Sequence, residues 1–467
     1  MEARDFGCPR VPNVKQGGVD MKNMISILAL FAAVAVQAGT TVVVQSVTGD
    51  VSSGLLTVNY RLSGDSAVIT LAGETNDVPV ADSAFRRVTG DVNKVVVSGD
   101  HEIRWYPDDD FGNGAFAPDE FKAVVKVWPT NSPPDYLVID LKNNTASYYT
   151  CTNVMPGRIT DVRYLTDEMV FRRIPAAGVV WRMGSPIGES GRSASYEATR
   201  YVKLNADYYL AVFETTQCQA GHLFGVSTGL WKTYNYGIPG GETNLLPHCR
   251  FTYNSLRGNA KSYAYWPVNG HDITYTDGFG AARTKYSFAF DYPTEAQWEF
   301  ACRSGESAAF NNGCELGGNP YDPQLNDTAW HVGNSSNEFS GCAFPHRPGL
   351  LRPNRLGLYD MLGNVAEYCL DSYGTVSQNA SDASAVVEDP AGPNPDLSAT
   401  YVYRTLRGGG FASKASDCRS SSRVGIPMGW DASDSIYYNV GTRPEKVTKL
   451  YQGSMGVRVC LPAVAVK

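Results

Sequence analysis

Between Thr40 and Thr150 the chain passes through a succession of short apolar runs, each bounded by Gly, Asp, Asn or Pro. The runs are Thr41–Val44, Leu56–Tyr60, Ala67–Leu71, Lys94–Val97, His101–Trp105, Phe121–Val127 and Tyr136–Ile139. Their β-branched content and period-two alternation specify half-buried strands, and the punctuating residues specify turns. About seven strands in roughly 110 residues favour an immunoglobulin-like β-sandwich over residues 39–150. Val47–Val51 recurs as Val88–Val92, an echo too short to establish duplication. Asp108–Asp110 offers hard oxygen ligands, but the spacing matches no EF-hand loop, and a solvated turn is the better reading.

After a Tyr-rich connector, 151–169, the character changes. The whole chain carries 46 glycines, 27 tyrosines and 8 tryptophans, a mixture suited to loop-heavy β or irregular α+β architecture and unsuited to helix bundles. Its length exceeds what one core organises, so a second domain is expected over 170–463, with 464–467 as a tail. A formal net charge of −7 with 19% charged residues gives no electrostatic reason to expect nucleic acid and no polybasic membrane patch.

The start reads as a targeting segment. Met21-Lys22-Asn23 is followed by an apolar stretch to Val36 and by Val36-Gln37-Ala38, the order of a secretory signal peptide over 21–38. Residues 1–20 are then a mis-called start and cleavage falls near Ala38; the alternative reading of the apolar stretch is a buried N-terminal helix or strand. The stretch is short for a bilayer span, and no second apolar run of membrane length follows. The mature chain is therefore expected to be secreted, periplasmic or associated with the cell envelope, without an integral membrane span.

Ten cysteines are present, nine after removal of the leader, which leaves an odd thiol in an oxidising compartment. Cys314 and Cys342 flank a Gly/Asn-rich excursion that a disulfide between them would staple. There is no CxxC pair. The six histidines form no HExxH or other close cluster in sequence, and each reads as an ordinary surface or packing residue.

In the second domain, Asp207–Gln217 reads as a strand passing into a helix, and Pro293–Cys302 as a helix start. Thr294 can cap that helix, Gln297 can answer the cap, Trp298, Ala301 and Cys302 share one face, and Gly305 ends it. Gly357 and Gly363 permit tight reversals around an apolar stretch, and Glu367 follows, so carbonyls and one carboxylate can converge on a hard cation. The alternative is that Glu367 takes backbone hydrogen bonds or faces solvent.

These segments, with Ile174–Gly178, Trp181–Ser185, Gly357–Tyr368, Arg407–Ser413, Cys418–Arg423 and Gly456–Cys460, resemble the formylglycine-generating enzyme (sulfatase-modifying factor) family over about 174–462. The resemblance implies an irregular α+β fold of C-type-lectin-like architecture. It assigns a structural calcium site to the carbonyls of Leu362, Gly363 and Val365 and the carboxylate of Glu367, with Asn326-Asp327 near a second. Ala366 and Tyr368 stand where the family usually carries tryptophans.

Enzymes of that family oxidise a substrate cysteine to formylglycine with oxygen and copper(I), held by two thiolates. Here Cys418 matches one and Ser413 stands at the other; Gly410 replaces the motif serine and Phe411 the tryptophan. A serine hydroxyl is a poor copper(I) ligand, so copper is not expected. Cys369 is a speculative substitute thiol, and a buried or disulfide-bonded Cys418 is the simpler reading. No nucleophile-elbow motif supports a hydrolase. Sequence therefore favours a noncatalytic binding or structural protein, whose partner is an unidentified glycan, peptide or cell-envelope protein. Tyr263, Tyr265, Trp266, Trp430, Tyr437, Tyr438 and Asn439 are candidates for its aromatic rim, set against ordinary loop packing. The alternative is a copper-dependent oxidoreductase with an altered metal site.

Overall fold

The computed structural model describes residues 35–37, 39–50, 53–75, 77–81, 84–107, 121–226, 242–249, 251–258, 277–319, 321–336, 343–376, 385–390, 392, 402–427, 437–440, 443–446 and 454–466. The expected leader lies outside them except for Ala35–Gln37, whose backbone pairs antiparallel with Thr40–Val42. The triple aspartate 108–110 lies outside them altogether. The chain divides into two compact units: 1–139 with 145–161 and 463–467, and 140–144 with 162–462.

In the first unit each expected run is a strand. Thr40–Asp50, Leu55–Ser63 and Gly99–Trp105 pair antiparallel in one sheet, extended at its far edge by Val88–Gly90. Ala67–Thr75 is the centre of a second, with Phe121–Pro129 on one side and Lys94–Val96 and Val78–Pro79 on the other. Alternate residues turn inward: Val42, Val58, Tyr60 and Ile103 from the first sheet meet Ile69, Leu71, Phe121 and Val125 from the second in one core. Trp105 and Phe85 lie at its centre with ring centroids 4.8 Å apart, and Phe121 is 5.1 Å from Trp105. Gly73 is required by this packing, because a Cβ there would come within 2.1 Å of the Phe121 ring. The expected tail is built into this unit. Ala465 donates its N–H to the carbonyl of Thr130, and Val466 donates to the Tyr148 hydroxyl, 318 positions earlier in the chain.

The second unit is mostly strand and loop. Glu168–Ile174, Tyr208–Ala211 and Cys460–Pro462 form successive antiparallel pairs, and Val180–Met183 pairs with Arg200–Lys203. A larger sheet runs Arg443–Lys446, Tyr437–Val440, Arg423–Pro427, Tyr403–Arg407, Ala366–Ser372, Met455–Gly456. The helix Glu295–Arg303 forms where the sequence requires it. Thr294 and Gln297 make both bonds of the capping box, and Ser304 and Gly305 end the helix with positive φ. Trp298, Ala301 and Cys302 are fully buried in a core with Leu362, Cys369, Cys418 and Cys460.

No disulfide joins any of the described cysteines, and Cys314 carries a free thiol, which corrects the expected staple from it; Cys342 lies outside the described residues. The turn at Cys314 is closed by hydrogen bonds instead. Phe310 donates to the Cys314 carbonyl at 3.0 Å, and Cys314 donates to Asn312 Oδ1, also at 3.0 Å. The Cys314 side chain packs against the core. Among the described residues no helix is long and apolar enough to cross a membrane.

Removing the Trp105 indole leaves a cavity between the two sheets of the first unit, a change that typically costs about 3–5 kcal/mol. Urea unfolding of Trp105→Ala should show the first unit melting early, with the transition of the second in place.

Candidate functional site

The antiparallel strands Ala366–Ser372, Tyr403–Arg407 and Arg423–Pro427 bring Glu367, Arg407 and Arg423 into register across the sheet. Between the last two strands lies the glycine loop that carries the resemblance. Gly408 and Gly409 have φ of +86° and +68°, and a Cβ on Gly409 would lie 2.8 Å from the Cys418 sulfur. Only glycine allows the loop to close over that thiol. The following turn ends in the short 3-10 helix Ala415–Cys418.

Cys418 is fully buried in the apolar core. Burial, with Asp417 alongside, pushes its thiol well above the ordinary range, so it stays protonated. Ser413 is also buried; its hydroxyl accepts from the Gly410 N–H at 2.9 Å, while its carbonyl accepts from Val332. Ser335 donates to the Phe411 carbonyl at 2.6 Å. Ser413 thus closes the turn. Cys369 is buried in the same core, and burial beside Glu295 pushes its thiol up as well. Copper(I) needs accessible thiolates. A buried protonated thiol and a turn-closing hydroxyl do not fit a two-thiolate copper centre.

Glu367, the carboxylate of the expected calcium set, is held by protein groups. Trp298 Nε1 donates to its Oε2 at 2.6 Å, and Arg458 Nε donates to Oε1 at 2.9 Å. Leu362 and Gly363 form a two-residue strand beside Ala329–Trp330, and Val365 donates its N–H to Glu214 Oε1 at 2.9 Å. Gly363 is fixed by its φ of +76° and by the Trp330 carbonyl, which a Cβ would approach to 2.2 Å. Asp327, from the expected second calcium region, is exposed and 3.6 Å from Arg352; Asn326 contacts His331.

Buried charge is what the sequence reading missed. Glu295 and Glu299 are both fully buried on the capped helix. Arg407 spans them, donating to Glu295 at 2.7 Å and Glu299 at 2.5 Å; Arg423 also binds Glu295, and Arg303 binds Glu299. Against the raising effect of burial, Arg407 and Arg303 hold Glu299 down at about 2. Arg419 pairs with Glu189 and Glu197, and Arg257 and Arg283 share Asp291. The i,i+4 spacings of Glu295, Glu299 and Arg303 were the available signal, although the Arg407 that bridges the two carboxylates lies more than a hundred positions away.

Around Arg458 the acids outnumber the base. Glu214, Asp360 and Glu367 are all buried there; burial, reinforced by their mutual repulsion, raises Glu214, and burial raises Asp360 to about 6. Asp360 Oδ2 accepts from Gly349, while Oδ1 has no hydrogen-bond partner among the described residues.

The rim candidates Tyr263, Tyr265, Trp266 and Trp430 lie outside the described residues. Tyr437, Tyr438 and Asn439 lie on the strand Tyr437–Val440, where Asn439 is in backbone register with Gly425; their side chains also fall outside the described part.

Comparison with known proteins places this geometry in a family. The model of the sulfatase-modifying factor enzyme 1-like domain matches residues 191–443, more than half of the chain. The chain belongs to that family. It is 30% identical over 177 residues to the formylglycine-generating enzyme of Thermomonospora curvata, covering 33% of this chain and 53% of that one. It is 35% identical over 161 residues to the serine/threonine-protein kinase pkn1 of Chlamydia pneumoniae, covering 34% and 22%. These matches thus span between about a fifth and a half of the relatives' length. Among solved structures, Treponema denticola variable protein 1 aligns with a TM-score of 0.42 and 22% identity, over 63% of this chain and 95% of that one. PvdO from Pseudomonas aeruginosa aligns with a TM-score of 0.41 and 18% identity, over 63% and 94%.

The raised Asp360 carboxyl has a definite pH signature. Its folded value, about 6, lies above its ordinary 3.8, so the folded state holds the proton more tightly. Its contribution is present below about pH 4 and is lost as pH rises through 6. Asp360→Asn should remove that slope, gaining on the order of 2 kcal/mol relative to the parent between pH 4 and pH 7. Denaturant titrations at the two pH values check it.

Proposed function

We propose that this chain is an exported, noncatalytic binding or structural protein built on the formylglycine-generating-enzyme scaffold. The observation that carries the reading is the state of the two positions where the family oxidase needs thiolates. Cys418 is a protonated core thiol and Ser413 closes a turn. Oxidation of a substrate cysteine requires soft ligands that bind copper(I) and remain open to substrate and oxygen, and neither position offers one.

The scaffold retains the framework around that loop. The Glu295–Glu299–Arg407–Arg423 network fixes the strands on either side, so loops elsewhere can vary without disturbing the core. In this reading the aromatic-rich loops bear the binding surface, for a glycan, a peptide or a cell-envelope protein. The front unit is an immunoglobulin-like sandwich that presents or supplements that surface; its two antiparallel sheets and shared core support this assignment. Export rests on the leader-like segment at 21–38. Arg458 supplies at Glu367 the positive charge that the resemblance assigns to calcium.

The test is copper(I) titration of the purified protein beside Cys418→Ala and Ser413→Cys, with aerobic oxidation of a sulfatase-type cysteine peptide followed in the same samples. The expected result is no turnover and no Cys418-dependent binding in the folded parent protein. Copper binding that requires Cys418, with formylglycine formed by the parent, would establish the copper-dependent oxidoreductase instead. A second measurement addresses Glu367. Calcium chelation should leave the melting temperature unchanged, whereas Glu367→Ala should cost about 3–5 kcal/mol by breaking the buried pair with Arg458 and leaving Trp298 Nε1 without its acceptor.

A further inference from the structure

Asp167, Cys218 and His222 form a cluster away from the glycine loop. One ligand atom from each lies within 4.8 Å of the others, and this is the group of three metal-ligating side chains found among the described residues. Cys218 and His222 are four residues apart on the helix Gln217–Phe224, so both project from one face. Asp167 precedes the strand Glu168–Ile174 and approaches from outside the helix, with His222 Nε2 3.1 Å from its Oδ1.

The relative position of these two elements is fixed by side chains of the helix itself. The Thr216 hydroxyl donates to the Leu165 carbonyl at 2.7 Å while also capping the helix. Gln219 completes the capping box and donates its amide to the carbonyls of Tyr164, at 2.9 Å, and Glu168, at 2.8 Å. Three hydrogen bonds therefore tie the segment on either side of Asp167 to the first turn of the helix. A further bond holds the Asp167 carbonyl, which accepts from the Leu141 N–H at 2.7 Å. The His222 carbonyl accepts from the Tyr286 hydroxyl at 3.1 Å, anchoring the other end of the helix. All three ligand side chains are half-buried, so the cluster is open to an ion from solvent while its backbone is held.

We propose that Asp167, Cys218 and His222 bind a zinc-class divalent transition-metal ion, with water in the fourth position. One sulfur, one imidazole nitrogen and one carboxylate oxygen form a donor set that suits zinc and cobalt and disfavours calcium or magnesium. Tetrahedral zinc with its usual bond lengths separates its ligand atoms by roughly 3.5 Å, against 3.1 Å between His222 Nε2 and Asp167 Oδ1 and at most 4.8 Å across the set. Small rotations about the side-chain bonds suffice to close it. Binding displaces the Cys218 thiol proton to solvent, so that the thiolate and the Asp167 carboxylate together neutralise the dication. In the apo protein Asp167 and burial both disfavour that thiolate, and the ion reverses the balance. Three protein ligands and one water also match the coordination of a reactive metal centre, which distinguishes this place from the closed glycine loop.

Cobalt(II) titration of the whole protein tests the assignment, because tetrahedral cobalt with a thiolate ligand gives both visible d–d absorption and a sulfur-to-cobalt charge-transfer band. The expected result is saturation near one ion per chain, with displacement of both signals by zinc. Cys218→Ser should abolish the charge-transfer band, and His222→Ala should abolish saturable binding, with circular dichroism unchanged in both. Asp167→Asn should weaken binding while leaving the thiolate signal at high cobalt. Absence of a charge-transfer band in the parent, or its persistence in Cys218→Ser, overturns the site. Should His222→Ala fail to fold, His222→Gln, which keeps the helix and removes the imidazole, gives the same decision.

Discussion

The second unit depends on charge placed where water does not reach. Glu295 and Glu299 point from one face of a short helix into the sheet, and Arg407 bridges them from the strand that enters the glycine loop. Isolated, each carboxylate would be too costly to bury; paired with planar guanidinium groups it becomes a directional fastener. Replacing such a network by apolar side chains is often neutral for stability, so its value here is geometric. It sets which strand faces which helix residue, in a unit whose regular elements are too short to fix register by hydrophobic pattern alone.

The Arg458 group is arranged differently. One guanidinium serves Glu367 and four backbone carbonyls, those of Ala211, Val212, Tyr359 and Asp360. It ties three stretches that are far apart in sequence, and Glu214 joins two of them again through Asn364 and Val365. The surplus of acid over base there is accommodated by proton uptake, visible in the raised Glu214 and Asp360 carboxyls. The same core therefore contains one cluster held rigidly ionic and another whose charge varies with pH.

The division between what was legible and what was not follows from the range of each signal. The strands of the front unit and the capped helix at Thr294 rest on local rules, period two and the capping box, and can be read from neighbouring residues. The family was legible because its motifs are local as well. The departure at Ser413 was visible as a substitution, but the burial of Cys418 was not, since it depends on Gly409 closing over the sulfur. The ion networks were hidden because Arg407 and Glu295 are 112 positions apart. The Cys218–His222 spacing was visible at i,i+4, yet Asp167 joins it only through tertiary folding. The Cys314 thiol is free, and its turn is closed by local hydrogen bonds that flanking position could not reveal.

The return of residues 463–466 to the first unit bears on how the chain is made. Val466 meets Tyr148 across 318 positions, and Ala465 meets Thr130. A ribosome adding about 5–20 residues each second needs some tens of seconds to bridge that interval. Until then the first unit lacks the partners that Thr130 and Tyr148 hold in the folded protein. The first unit is thus discontinuous in sequence, and its contacts from 463–466 become possible only after the whole of 162–462 has been translated.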